Sequence, residues 1–289
     1  MCKETNNRNL INIIEGKVSI KLVQELDSII NEASKNKVLL HVLRILNIEE
    51  PLRYFQEARM KRIINTVKIL SKILKNYDYA FFKLVKPVTY VPADVDILVN
   101  TNYFRNVVKE VRGLGFKIKV KDPYCVTFVK GDLIIDLYTY PSLGGMIFIN
   151  GQELLTYTTI KEINGIEIKA LENYAEVLAT ATHAIYKERI YTLNDYFTVE
   201  KWISRKTFKL AEELKCKPVI EISLDLNRKI RQGIIKAPYK IPTYLWIKQL
   251  IQKLKEDNLT RATLVNMLKA LASKRGVNSL ISKFVRETY

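Results

Sequence analysis

The sequence predicts an α+β fold: a mixed sheet with helices over residues 77–197, an N-terminal helical segment over 1–76 and a basic helical C-terminal domain over 198–289. Two changes in hydrophobic period and one charge asymmetry predict it. Apolar residues recur at spacings of three and four up to Leu74, alternate from Tyr79, and return to helical spacing after Leu171. The net charge is +17, and residues 197–289 carry 20 Lys+Arg against 8 Asp+Glu, whereas residues 1–196 carry 27 against 22.

In order along the chain, Leu39, Leu40, Val42, Leu43 and Leu46 form one apolar stripe. Ile63, Ile64, Val67, Leu70 and Leu74 form another, with Pro51 between the two helices. Strands are predicted over 79–84 and 95–99, joined through Pro87 and Pro92. Thr101 is placed to cap a helix whose face is Phe104, Val107, Val108, Val111 and Leu114, and Gly115 ends it. Phe116, Ile118 and Val120 then alternate with Lys117, Lys119 and Lys121, the pattern of a half-buried strand with a basic outer face. Strands over 124–129 and 133–138 follow, joined by the turn Lys130-Gly131-Asp132. Asn150-Gly151 and Asn164-Gly165 are turn pairs, the second inside a hairpin over 160–168. Beyond Leu171 the chain reads as helices, with loops near Pro218 and over 232–242. A closing pair is expected over 260–274, ended by Gly276, and over 279–286.

With 48% hydrophobic and 27% charged residues the composition is that of a folded globular protein. The first nine residues hold no apolar run, and no stretch approaches the roughly 18 apolar residues of a spanning helix, so no membrane association and a cytoplasmic location are expected. Cys2, Cys125 and Cys216 lie far apart and only two histidines accompany them, which points to a reducing compartment without structural zinc.

The chemistry is concentrated in two acidic strands. Asp94 and Asp96, two residues apart, point the same way, while Val95, Ile97 and Val99 face the core. Adjacent carboxylates repel, and a hard divalent cation with oxygen ligands relieves the repulsion. In the second strand Leu133, Ile135 and Leu137 fill one face and Asp136 stands on the other; Asp132, against Gly131 in the turn, is the weaker alternative. If the strands are neighbours, Asp94, Asp96 and Asp136 converge and can hold two Mg²⁺ (or Mn²⁺) ions for phosphoryl or nucleotidyl transfer.

Asp94-Val-Asp-Ile-Leu-Val99, followed about forty residues later by Ile134-Ile-Asp-Leu137, resembles the polymerase-beta-type nucleotidyltransferase superfamily, and most closely its minimal and AbiEii-like members. The resemblance covers roughly residues 79–200. It implies a nucleotidyltransferase-type mixed sheet, an NTP substrate, Asp94 and Asp96 bound to both metals, and Asp136 on the metal that activates the acceptor hydroxyl. Where that superfamily has a Gly-Ser or Gly-Gly turn to hold the triphosphate, this chain has Phe82-Lys-Leu-Val-Lys-Pro87. Lys83 and Lys86 either replace those amides with charge or are ordinary exposed lysines. In the helical segment expected over 170–197, His183 and Lys187 lie one turn apart and could both reach a phosphate, the alternative for His183 being a satisfied, partly buried ring. Asp195 reads as a helix cap or, by the resemblance, as part of a supporting hydrogen-bond network.

In the basic third, Arg228, Lys229, Arg231, Lys236 and Lys240 interleave with Tyr239 and Tyr244, a composition suited to a single strand or a tRNA end. The leading expectation is therefore NMP transfer from an NTP to a hydroxyl on RNA. Two other readings stand beside it: transfer to a protein or small molecule, as in a toxin–antitoxin-like pair with a partner protein, and a catalytically inactive module that binds nucleic acid.

Overall fold

The computed structural model describes residues 6–17 and 26–286. Cys2 lies outside them.

Among the described residues α1 (Asn6–Ile14), α2 (Leu26–Lys35) and α3 (Leu39–Ile45) precede the long α4 (Pro51–Leu74). Pro51 stands in the first turn of α4, where its missing N–H costs nothing, and Ile63, Val67, Leu70 and Leu74 form its buried stripe. The strands that follow are β1 (Tyr79–Phe81), β2 (Val95–Val99), β3 (Lys117–Asp122), β4 (Cys125–Lys130) and β5 (Leu133–Tyr138), with α5 (Phe104–Gly113) between β2 and β3. Two short strands, β6 (Ser142–Leu143) and β7 (Met146–Ile147), make a small hairpin. After the single turn α6 (Gly151–Leu154), β8 (Thr158–Ile163) and β9 (Ile166–Leu171) complete the sheet. A helix α7 (Asn173–Thr182) runs into a π-helix, His183–Glu188, then come β10 (Ile190–Tyr191), α8 (Leu193–Trp202), α9 (Arg205–Glu213) and α10 (Lys217–Arg231). The described chain closes with β11 (Tyr239–Lys240), α11 (Thr243–Glu256), α12 (Asn258–Leu271) and α13 (Lys274–Val285).

The fold is α+β, with a seven-stranded mixed sheet in the order β3-β4-β5-β2-β1-β9-β8. Period-2 alternation sorts its side chains into two layers. Val95, Ile97 and Val99 of β2 join α4 and α5 in one hydrophobic cluster, while Leu98 joins the other, to which α1, α3, α7, α8 and α10 also contribute. Asp96 stands on Leu98's side of the strand, so the helical layer rather than bulk water covers it.

Several expectations are corrected. β1 stops at Phe81, because Lys83 takes a left-handed backbone (φ 57°) that no strand continues. The helix after β2 begins at Phe104 and its preceding turn is capped by Asn100, not Thr101. Ile118 is 42% exposed: β3 is an edge strand with a bulge after Ile118, which takes its apolar residues off the core. Gly276 lies inside α13, where Ser273 Oγ accepts its N–H, and so begins that helix instead of ending the previous one. Asn164-Gly165 does turn the β8–β9 hairpin, but Asn150-Gly151 starts α6, with the Asn150 side chain accepting from Gln152 N and Glu153 N.

Gln152 Nε2 donates to Thr139 O at 2.8 Å and Val99 O at 3.3 Å, pinning α6 across the ends of β5 and β2. The approach requires Gly151, since a Cβ there would lie 2.4 Å from Thr139 O and 3.0 Å from Tyr140 Cα. Because both obstacles are backbone, Gly151→Ala is expected to destabilise the protein by about 3 kcal/mol, read as a lowered urea midpoint at unchanged slope.

Candidate functional site

β2 and β5 are adjacent and parallel, and Asp96 is in direct register with Asp136. Residues in register on parallel neighbours share a face, so the two carboxylates meet; Asp94, just before β2, brings a third. One oxygen from each of the three lies within 4.8 Å of the others. Each carboxylate is held differently. Asp136 accepts from Thr127 Oγ1 at 2.6 Å and from Tyr138 Oη at 3.1 Å. Asp96, 4% exposed, takes Lys83 Nζ at 2.9 Å on Oδ2, while its buried Oδ1 has no hydrogen-bond partner among the described residues. Burial, then the charges of Asp94 and Asp136, raise the Asp96 pKa to about 7 against the pull of Lys83.

A buried carboxylate oxygen without a donor, beside two further carboxylates, is the chemistry a hard cation satisfies. Asp94, Asp96 and Asp136 therefore fit a divalent metal by donor type and by spacing.

Around the cluster the expected cations take distinct places. Lys83 reaches Asp96 and also donates to His183 Nδ1 at 3.2 Å; although burial opposes its charge, Asp96 and Asp94 keep its pKa above the ordinary lysine value. His183, half-buried with Glu188 Oε1 3.6 Å from its Nε2, is pushed well below its usual pKa by burial and by Lys83, Lys187 and Lys37, which favours the neutral ring. Lys187 donates to Tyr138 Oη at 2.9 Å, so its charge stands over the Asp136 end of the cluster. Lys86 departs from the exposed-lysine alternative: its ammonium meets Glu176 at 2.7 Å, and the two side chains are each 3% exposed. Thr180 Oγ1 also accepts from it. Removing one partner of such a pair strands the other charge, so Lys86→Met is expected to cost about 3 kcal/mol in a denaturant titration.

These groups open on a cavity of about 210 Å³ whose lining includes Lys37, Lys83, Lys187, Asp94, Asp96 and Arg286. No protein family and no curated protein matches the chain. One solved structure with some likeness is the solution structure of the antibiotic-resistance factor ANT(2'')-Ia, at 14% identity over 59% of this chain and 91% of that one. The TM-score is 0.28. A superposition that loose carries no weight.

Several contributors had no local sequence signal. Lys37, in a left-handed turn after α2, comes from far upstream; burial lowers its pKa to about 8 against the pull of Asp195 and Asp94. Glu176 accepts both the Lys86 ammonium and the Lys83 N–H, clamping the 82–87 turn from α7. Glu188 faces Lys283 at 3.2 Å and Arg286, tying α13 to the end of the π-helix. Tyr138 was accessible to strand alternation, being two residues from Asp136 on the same face. Asp195 forms a capping box with Thr192, and it also lines the cavity. Asp132 is paired with Arg62 at 2.7 Å and is not part of the acidic cluster.

Proposed function

We propose that the chain is a metal-dependent nucleotidyltransferase that moves a nucleoside monophosphate from an NTP to an acceptor hydroxyl, in the cytoplasm where NTP and Mg²⁺ are supplied. The observation that carries this reading is the register of Asp96 on Asp136 with Asp94 alongside, Asp94 and Asp96 facing a cavity lined by cations. Mg²⁺ held by these carboxylates would lower the pKa of the acceptor hydroxyl and offset triphosphate charge. The acceptor oxygen bonds to the α-phosphorus, the bond from that phosphorus to the bridging oxygen breaks, pyrophosphate leaves with the electron pair, and the hydroxyl proton passes to water.

The chain's own residues position these groups. Thr127 and Tyr138 orient the Asp136 carboxylate by donating to its two oxygens. Lys83 and Lys187 supply fixed positive charge at either end of the cluster, and Lys83 does so where a glycine turn would have offered amides. Neutral His183 accepts from Lys83 and so directs that ammonium toward the carboxylates.

The charge of the last third supports an RNA acceptor. Ion pairing supports the second reading, a small molecule or a protein. Arg228 and Lys229 both pair with Asp225, and Arg231 pairs with Glu15 and Glu200, which leaves those cations less able to attract phosphates. The test of the transferase reading is binding of each NTP with Mg²⁺, followed by transfer of α-phosphate label, beside an Asp94→Asn, Asp96→Asn double variant. Mg²⁺-dependent binding and label transfer by the wild type alone are expected. Equal binding by both forms with no transfer would leave only a catalytically inactive module.

A further inference from the structure

The acidic cluster stands between two cavities. Asp94 and Asp96 line the cation-rich one, whereas Asp136 lines a second of about 650 Å³, and Lys187 borders both. One side of the second cavity is sheet, with Cys125 of β4 and Tyr138 of β5; the opposite side is α12, with Met267 and Ala270. That wall is part of the fold. Thr263 Oγ1 accepts the Ile147 N–H at 3.0 Å, and Asn266 Nδ2 donates to Gly145 O at 3.3 Å. Gly145, at φ 84°, allows the approach, because a Cβ there would stand 2.9 Å from the Asn266 Cβ. Lys283 of α13 also lines the cavity and is held by Glu188 at 3.2 Å.

In-line displacement requires attacking and leaving oxygens on opposite sides of the phosphorus. With the triphosphate among the cations of the first cavity, the acceptor approaches from the Asp136 side. We propose, resting on the transferase reading, that this second cavity is the acceptor site, and that the acceptor is a compact hydroxyl compound with an apolar body and a neutral or anionic polar group. Its volume falls in the range of small-molecule pockets, roughly 300 to 1,000 Å³. Leu143, Leu250 and Met267 offer an apolar surface, and Lys187 and Lys269 oppose a polycation on a lining that also holds Asp122 and Asp136. A polynucleotide would need a cationic path leading to the cavity, whereas Arg228, Lys229 and Arg231 are engaged by Asp225, Glu15 and Glu200.

The experiment incubates the full chain with α-phosphate-labelled NTP and Mg²⁺ and with three separate pools: the small-molecule filtrate of a cell extract, total RNA, and filtered protein. Ala270→Phe fills the cavity, and the milder Lys269→Glu, at an exposed position, reverses one of its charges. Anilinonaphthalene sulfonate, an apolar ring system bearing one anion, probes the cavity directly, and Mg²⁺-dependent NTP binding shows that each variant is folded. Label is expected in the filtrate only, with the acceptor KM raised roughly tenfold or more in both variants and probe affinity lowered alongside. Label on RNA or protein overturns this acceptor assignment and leaves the transferase reading standing. A probe and KM unmoved by both variants do the same, whereas label in no pool while NTP still binds removes the transferase reading and this inference with it. Loss of NTP binding by the wild type fells the transferase reading, and this inference with it.

Discussion

Asp96→Asn is expected to lower transfer of the labelled nucleotide at least about a thousandfold at saturating NTP and Mg²⁺, because it removes a ligand whose charge is used at the reacting phosphate. Asp96 is the most buried of the three carboxylates and carries the oxygen without a hydrogen-bond donor among the described residues. Asn keeps the size and can still accept through its carbonyl, so the packing of β2 against β5 is preserved. Single-turnover transfer beside the wild type is the measurement. Asp136→Asn should fall as far while leaving NTP affinity nearer the wild-type value, since Asp136 lies on the other cavity. A variant at position 96 that retains more than a tenth of wild-type transfer would mean that the carboxylates do not serve the reaction.

Mg²⁺ is expected to stabilise the protein increasingly as pH rises from about 5 to about 7, and by a constant amount above that. The sign follows from Asp96, whose pKa is raised from 3.8 to about 7, chiefly by burial. In the folded protein this carboxyl holds its proton through a window in which the unfolded chain has already released it. Without metal, that group makes stability fall as pH rises from about 4 to about 7, by up to about 4 kcal/mol. Metal binds the ionised form, so below pH 7 it must displace the proton, which costs about 1.4 kcal/mol per pH unit. His183 works the other way: depressed well below its ordinary value of about 6.5, it adds stability as pH rises to about that value. The increment caused by Mg²⁺ at each pH, rather than the raw melting temperature, therefore isolates Asp96. Thermal melts with Mg²⁺ and with chelator provide it. An increment independent of pH, or one unchanged in Asp96→Asn, would show that the metal binds elsewhere.

The acidic strands and the hairpin at Asn164-Gly165 were legible because period-2 alternation and turn chemistry are local. Asp94, Asp96 and Asp136 could be named on that basis, and their convergence was conditional on one fact that is not local, the adjacency of β2 and β5. The edge position of β3 was illegible for the same reason. Alternation of Ile118 and Val120 with lysines says that a strand has two faces, not that anything covers one of them. At 82–87 the loss of the glycine turn was visible, whereas the fate of its lysines was not. Lys83 and Lys86 differ by three positions, yet one meets Asp96 and the other Glu176, because α7 passes behind the turn. Residues 228–231 likewise read as free charge until Asp225, Glu15 and Glu200 came within reach.

By itself the sequence determined the two acidic strands and the faces on which Asp96 and Asp136 stand, since each follows from the geometry of a few consecutive residues. Only the tertiary structure decided that Asp96 and Asp136 share a register, that Lys37, Glu176 and Glu188 join them, and that the cluster divides two cavities. Those are relations between segments far apart in the chain, set by which surfaces can be buried together, and no spacing along the chain encodes them.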